Sequence, residues 1–117
     1  MSQITIYHNS RCSKSRCSLG ILRDKEIQPT IVEYLKTPPS SLELADICKK
    51  LNVAPSAIIR SKEMVFKDLG LSLDDDRSAE DWFRILADNP NLIERPIIVK
   101  GSRAVIGRPP ENVLKLL

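Results

Sequence analysis

The chain has 117 residues, which is enough for one hydrophobic core and too few for two. Hydrophobic residues make up 42% and charged residues 28%, with a net charge of +3 from 18 Lys and Arg against 15 Asp and Glu. The basic residues are scattered and aromatics are only 4%, so there is no nucleic-acid footprint, and no apolar run is long enough to cross a membrane.

The opening MSQITIYH has no basic segment followed by an apolar one. It reads as a strand and not as a signal peptide, and the expected compartment is the cytoplasm. Residues 3–8, QITIYH, alternate in polarity, and Asn9 and Ser10 are turn formers. From Ser13 the stretch SKSRCSLGILRDKE reads as a helix, with Ser13 as its N-cap. Cys17, the Leu19–Ile21 region and Leu22 are its expected apolar side. Residues 30–35, TIVEYL, form a β-branched second strand. A strand, a helix and a strand at this spacing predict a βαβ unit with parallel strands.

Pro38 and Pro39 then interrupt the chain. Ser40 and Glu43 form a capping box, opening a helix to about Leu51 with Leu44, Ile47, Cys48 and Leu51 on one face. Helical pieces are expected at roughly 55–60, 62–68 and 78–88, the last capped by Ser78 with Asp81 three residues on. PIIVK at 96–100 and RAVI at 103–106 flank Gly101-Ser102 as a hairpin. PPENVLKLL is a short C-terminal helix with proline at its start. The order β-α-β, helices, β-β-α describes an α/β chain with a mixed sheet. It is the skeleton of a thioredoxin-like fold, read as one domain over 1–117 with a helical insertion at about 40–90.

Cys12 stands at the mouth of the first helix. The first-turn N–H groups there have no intrahelical partners, and the helix dipole adds positive potential. Both stabilise a thiolate. The same N–H groups can hold an oxyanion. An isolated cysteine is commonly a small buried residue, but Asn9, Ser10, Arg11, Ser13 and Lys14 make this neighbourhood polar. Cys17 is expected to face the core, and Cys48 lies on an apolar stripe. The three cysteines form no CxxC pair, and with a single histidine, His8, they make no metal site. His8 is a candidate either for influencing Cys12 or for bracing the loop. Arg60, Arg95 and Arg108 are candidate oxyanion ligands, because a guanidinium binds such groups bidentately. Arg95 and Arg108 each precede a proline, which restricts their backbones. Composition does not show whether the three converge.

ITIYHNSRCSKSR resembles the opening of the glutaredoxin-dependent arsenate reductase (ArsC) family, whose signature His-x3-Cys-x3-Arg is carried here by His8, Cys12 and Arg16. LKTPPS matches that family's Leu-x-Thr-Pro segment at Leu35, Thr37 and Pro38. IIRSKE, LIERPIIV and IGRPPENVL match its arginine motifs at Arg60, Arg95-Pro96 and Arg108-Pro109. The likeness covers almost the whole chain in order, and RCSKSR and IGRPPE are most similar to the short chromosomal branch.

The resemblance implies Cys12 as nucleophile and Arg60, Arg95 and Arg108 around the oxyanion. His8, Ser15, Arg16 and Pro96 are supporting residues, Pro96 corresponding to the cis proline of thioredoxin-like folds. It further implies that Cys12 attacks arsenate, that glutathione attacks the arsenic adduct, and that glutaredoxin reduces the mixed disulfide left after arsenite departs. Glutathione is then a co-substrate, with no bound cofactor and no metal. Two other functions share the skeleton. One is a thiol oxidoreductase acting on glutathione mixed disulfides. The other is a regulator that binds RNA polymerase. Many such regulators use a CxxC switch, and here Ser15 stands three residues after Cys12.

Overall fold

The computed structural model describes residues 3–117. Four strands form one mixed sheet in the order β2-β1-β3-β4. Strand β1 (Ile4–His8) pairs parallel with β2 (Thr30–Glu33) and antiparallel with β3 (Ile97–Lys100), which pairs antiparallel with β4 (Arg103–Ile106). Helix α1 (Ser13–Asp24) supplies the crossover between the parallel strands. This is the thioredoxin-like arrangement. It follows from the alternating burial of β1, in which Ile4, Ile6 and His8 turn one way and Thr5 and Tyr7 the other.

The chain divides into two compact units. The first runs up to Thr37 and resumes from Arg95 to Leu117. Its core joins Ile4 and Ile6 of β1, Leu19 and Leu22 of α1, Ile98 of β3, and Val113 and Leu116 of a C-terminal 3-10 helix (Pro110–Leu116). Each such side chain contributes about 1.5–3 kcal/mol by leaving water.

The second unit is Pro38–Glu94. Helices α2 (Ser41–Leu51) and α4 (Ala79–Asp88) pack together in it, burying Leu44, Ile47 and Cys48 from one and Trp82, Phe83 and Leu86 from the other. Short α3 (Met64–Asp68) stacks Phe66 on Trp82 with ring centroids 6.3 Å apart. The capping box of α2 is present, with the Glu43 N–H donating to Ser40 Oγ at 3.1 Å and the Glu43 carboxylate facing the Ser40 N–H. Ser78 caps α4 through the Asp81 N–H.

Several local expectations are corrected. The N-cap of α1 is Cys12, a thiol, and not Ser13. Cys17 is exposed, whereas Ser15 and Ser18 are buried with Leu19 and Leu22. The inner face of α1 is therefore partly hydroxyl, which polarity counting misses. Strand β2 ends at Glu33 because Lys36 and Thr37 both donate backbone hydrogen bonds to the Glu33 carbonyl, turning residues 34–36. The helical pieces expected at 55–60 and at the C-terminus are present, as 3-10 helices over Pro55–Ile58 and Pro110–Leu116.

Candidate active site

The end of β1 delivers His8, and a tight loop carries the chain into α1. Asn9 builds that loop. Its side-chain Oδ1 accepts the Arg11 N–H at 3.0 Å, and its carbonyl accepts the Cys12 N–H at 3.0 Å. Arg16 ties the loop from the helix by donating from Nη1 to the Ser10 carbonyl at 2.9 Å. The Arg16 N–H bonds to the Cys12 carbonyl at 3.0 Å, the first bond of the helix.

Ser15 is fully buried beneath this loop. Its Oγ accepts the Asn9 N–H at 3.1 Å and lies 2.6 Å from His8 Nδ1. All of these groups are satisfied when the Ser15 hydroxyl donates to a neutral His8. His8 is indeed held below the usual histidine range. Burial is the largest cause, Glu33 opposes it, and Arg23 and Arg16 reinforce it. His8 thus braces the loop through Ser15.

Cys12 is only 7% exposed, so the polar loop does not leave it open to water. Burial pushes its thiol pKa up. That push is outweighed by the Ser15 N–H, by a hydrogen bond and charge from Arg95, and by the Lys14 N–H, and the pKa lies below the usual thiol range. Arg108 adds a second guanidinium, with Nη2 3.7 Å from Cys12 Sγ. Its Nε donates to the Arg95 carbonyl at 2.8 Å, so the two arginines are linked through backbone. Both arginines precede cis prolines, Pro96 and Pro109.

Cys12, Arg95 and Arg108 therefore lie together, and His8, Ser15 and Arg16 make hydrogen bonds in and beneath the adjoining loop. Arg60 belongs to the second unit. There its Nη2 pairs with Glu63 at 3.0 Å, and its N–H donates to the Leu92 carbonyl at 2.7 Å beside an isolated bridge between Ile59 and Ile93. Among the described residues no group of three or more His, Cys, Asp or Glu could hold a metal ion.

Gly107, the first residue of the Gly-Arg-Pro segment at Arg108-Pro109, is a position where the packing leaves no room for a side chain. A Cβ there would collide with Ser18 Oγ, sit 2.7 Å from Pro96 Cγ and 3.2 Å from Ile98 Cδ1. Its N–H donates to the Pro96 carbonyl at 2.9 Å, which docks the residue before Arg108 onto the loop after Arg95. The glycine in IGRPP was the available signal.

A model of the ArsC family matches residues 7–116. The "Uncharacterized protein YfgD" of Escherichia coli (strain K12) is 43% identical over 98% of this chain and 97% of its own length. A protein named arsenate reductase from Neisseria meningitidis serogroup A is 43% identical over the full length of both. A solved structure titled arsenate reductase from Vibrio cholerae superposes with a TM-score of 0.94 at 42% identity, covering 99% of this chain and 98% of that one.

Proposed function

The chain belongs to the ArsC family, and from that premise we propose that it is an arsenate reductase whose nucleophile is Cys12. The observation that carries the reading is the environment of one sulfur. A buried thiol lies at the mouth of a helix, faced by the N–H groups of Ser15 and Lys14 and by the guanidinium groups of Arg95 and Arg108. A low-pKa thiolate beside anion-binding donors suits attack on a charged tetrahedral oxyanion.

In the proposed reaction the Cys12 thiolate bonds to the arsenic of arsenate, and an oxygen leaves as water. The helix N–H groups, Arg95 and Arg108 carry the anion's charge. Glutathione then supplies the second thiol. Arsenic takes up two electrons and leaves as arsenite, while the two sulfurs give them up by forming a Cys12–glutathione disulfide. Glutaredoxin reduces that disulfide and returns the Cys12 thiol. No bound cofactor is required, and the reduced thiols this cycle needs favour a cytoplasmic location.

The test is arsenate-dependent NADPH oxidation, coupled through glutathione, glutaredoxin and glutathione reductase. Turnover is expected in the wild type and lost in Cys12→Ser. A folded protein with no turnover, whose Cys12 still alkylates fast, would remove arsenate as substrate and retain the thiol chemistry. Glutathione mixed disulfides would be tried next.

A further inference from the structure

We propose that Asn112 is a positioning residue that holds Arg108 in register with Cys12. The proposal rests on the reading of Arg108 as an oxyanion ligand.

Arg108 leaves the sheet just after β4, on a segment with no regular structure to hold it. One side of that segment is fixed by Gly107, pressed against Pro96 and Ser18. Asn112 holds the other side. Its side-chain Nδ2 donates to the Ile106 carbonyl and to the Arg108 carbonyl, both at 3.0 Å. Those two carbonyls bracket Gly107, and the Arg108 N–H closes the turn onto the Ile106 carbonyl at 2.9 Å. One primary amide thereby spends both of its N–H bonds on the peptide units that set where Arg108 starts. From there the side chain reaches the Arg95 carbonyl and Cys12.

Asn112 is itself well anchored. Its N–H bonds to the Pro109 carbonyl at 3.0 Å, and its neighbour Val113 is completely buried. Few side chains could replace it. Aspartate would turn carboxylate oxygens toward two carbonyls, serine has one donor, and alanine has none. Arg108 is exposed, so water can reach this segment when the amide is removed. The loss therefore falls on the geometry of Arg108 more than on the fold.

The experiment compares Cys12 alkylation by anionic iodoacetate and by neutral iodoacetamide, followed by mass spectrometry of the Cys12 peptide, with the arsenate KM measured in parallel. The rate ratio of the two reagents reads the cationic groups at Cys12 whatever the natural substrate is. Arg108→Ala is expected to lower the ratio and raise the KM. Asn112→Ala is expected to do the same by a smaller factor, about three- to tenfold in KM, with kcat changed less. In an Arg108→Ala background, Asn112→Ala is expected to add nothing, because both act through one side chain. Circular dichroism checks folding, and Asn112→Ser serves if the alanine variant does not fold. If Arg108→Ala lowers the ratio and Asn112→Ala or Ser leaves ratio and KM unchanged, the positioning role is wrong. An equal Asn112 effect with and without Arg108 also overturns it. If Arg108→Ala itself changes neither quantity, the oxyanion reading of Arg108 fails and the positioning role falls with it.

Discussion

Cys12 and Cys48 are both buried, at 7% and 4% exposure, yet their thiols are driven in opposite directions. Burial alone acts on Cys48, within the α2–α4 packing of the second unit, and pushes its pKa up to about 11. Cys12 feels the same upward push, but two helix N–H groups and Arg95 reverse it. A buried cysteine becomes a nucleophile because of the donors aimed at its sulfur.

The largest expected effect exchanges the two sites. Cys12→Ser should lower arsenate turnover by more than about a thousandfold, since a serine hydroxyl is not ionised in this setting. Cys48→Ala should leave turnover within a factor of two or so and cost about 1–2 kcal/mol in a urea melt through the small cavity left in the core. Substantial loss of turnover in folded Cys48→Ala would break the comparison.

The next effect separates charge from geometry at Cys12. Arg95→Lys keeps a cation but loses the planar fork, and should lower kcat/KM for arsenate by about 10–100-fold. Arg95→Ala removes the charge as well and should move the alkylation midpoint of Cys12 upward, in the direction of Cys48. A midpoint that stays in place in Arg95→Ala would leave the helix N–H groups and Arg108 as the cause.

The contrast between these sites was only partly legible in the chain. Alternation in QITIYH, the β-branched run in TIVE, the Ser40–Glu43 box and the hairpin around Gly101 are local signals, and the sheet and α2 follow from them. The helix-mouth position of Cys12 was also readable. The convergence of Arg95 and Arg108 was not, because it depends on β3 and β4 pairing beside β1 across most of the chain length. Polarity puts Cys17 on the inner side of α1, whereas the structure puts it outside and Ser15 inside. Ser15 is inside because His8 and the Asn9 N–H use its hydroxyl, and hydropathy does not record that use. Asn112 looks like an ordinary helix-start residue until the two carbonyls it bridges are seen.

His8 extends the comparison to a base. Burial depresses its folded pKa, so the unfolded chain binds its proton more tightly than the native one. Stability from this site is then fully present above the ordinary value of about 6.5 and is lost as pH falls through the folded value. The urea midpoint of the wild type should fall over that acidic window, and His8→Gln should flatten this part of the profile. An unchanged slope would show that His8 does not titrate between the two states.

The smallest effect concerns Ser18, on the same helix as Cys12. Its hydroxyl is fully buried, yet among the described residues it has no hydrogen-bond partner. It is the oxygen counterpart of Cys48, a polar group that lost water and gained nothing in exchange. An unsatisfied buried hydroxyl costs about 1–3 kcal/mol. Ser18→Ala removes that cost but leaves a small void against Gly107, and alanine is also the better helix former. The net expectation is a gain of up to about 1 kcal/mol, seen as a rise of a few degrees in Tm, with Cys12 alkylation unchanged. A lower Tm would mean that Ser18 has a partner, such as a bound water, and that the inner face of α1 is more fully paired than the direct contacts of its hydroxyl indicate.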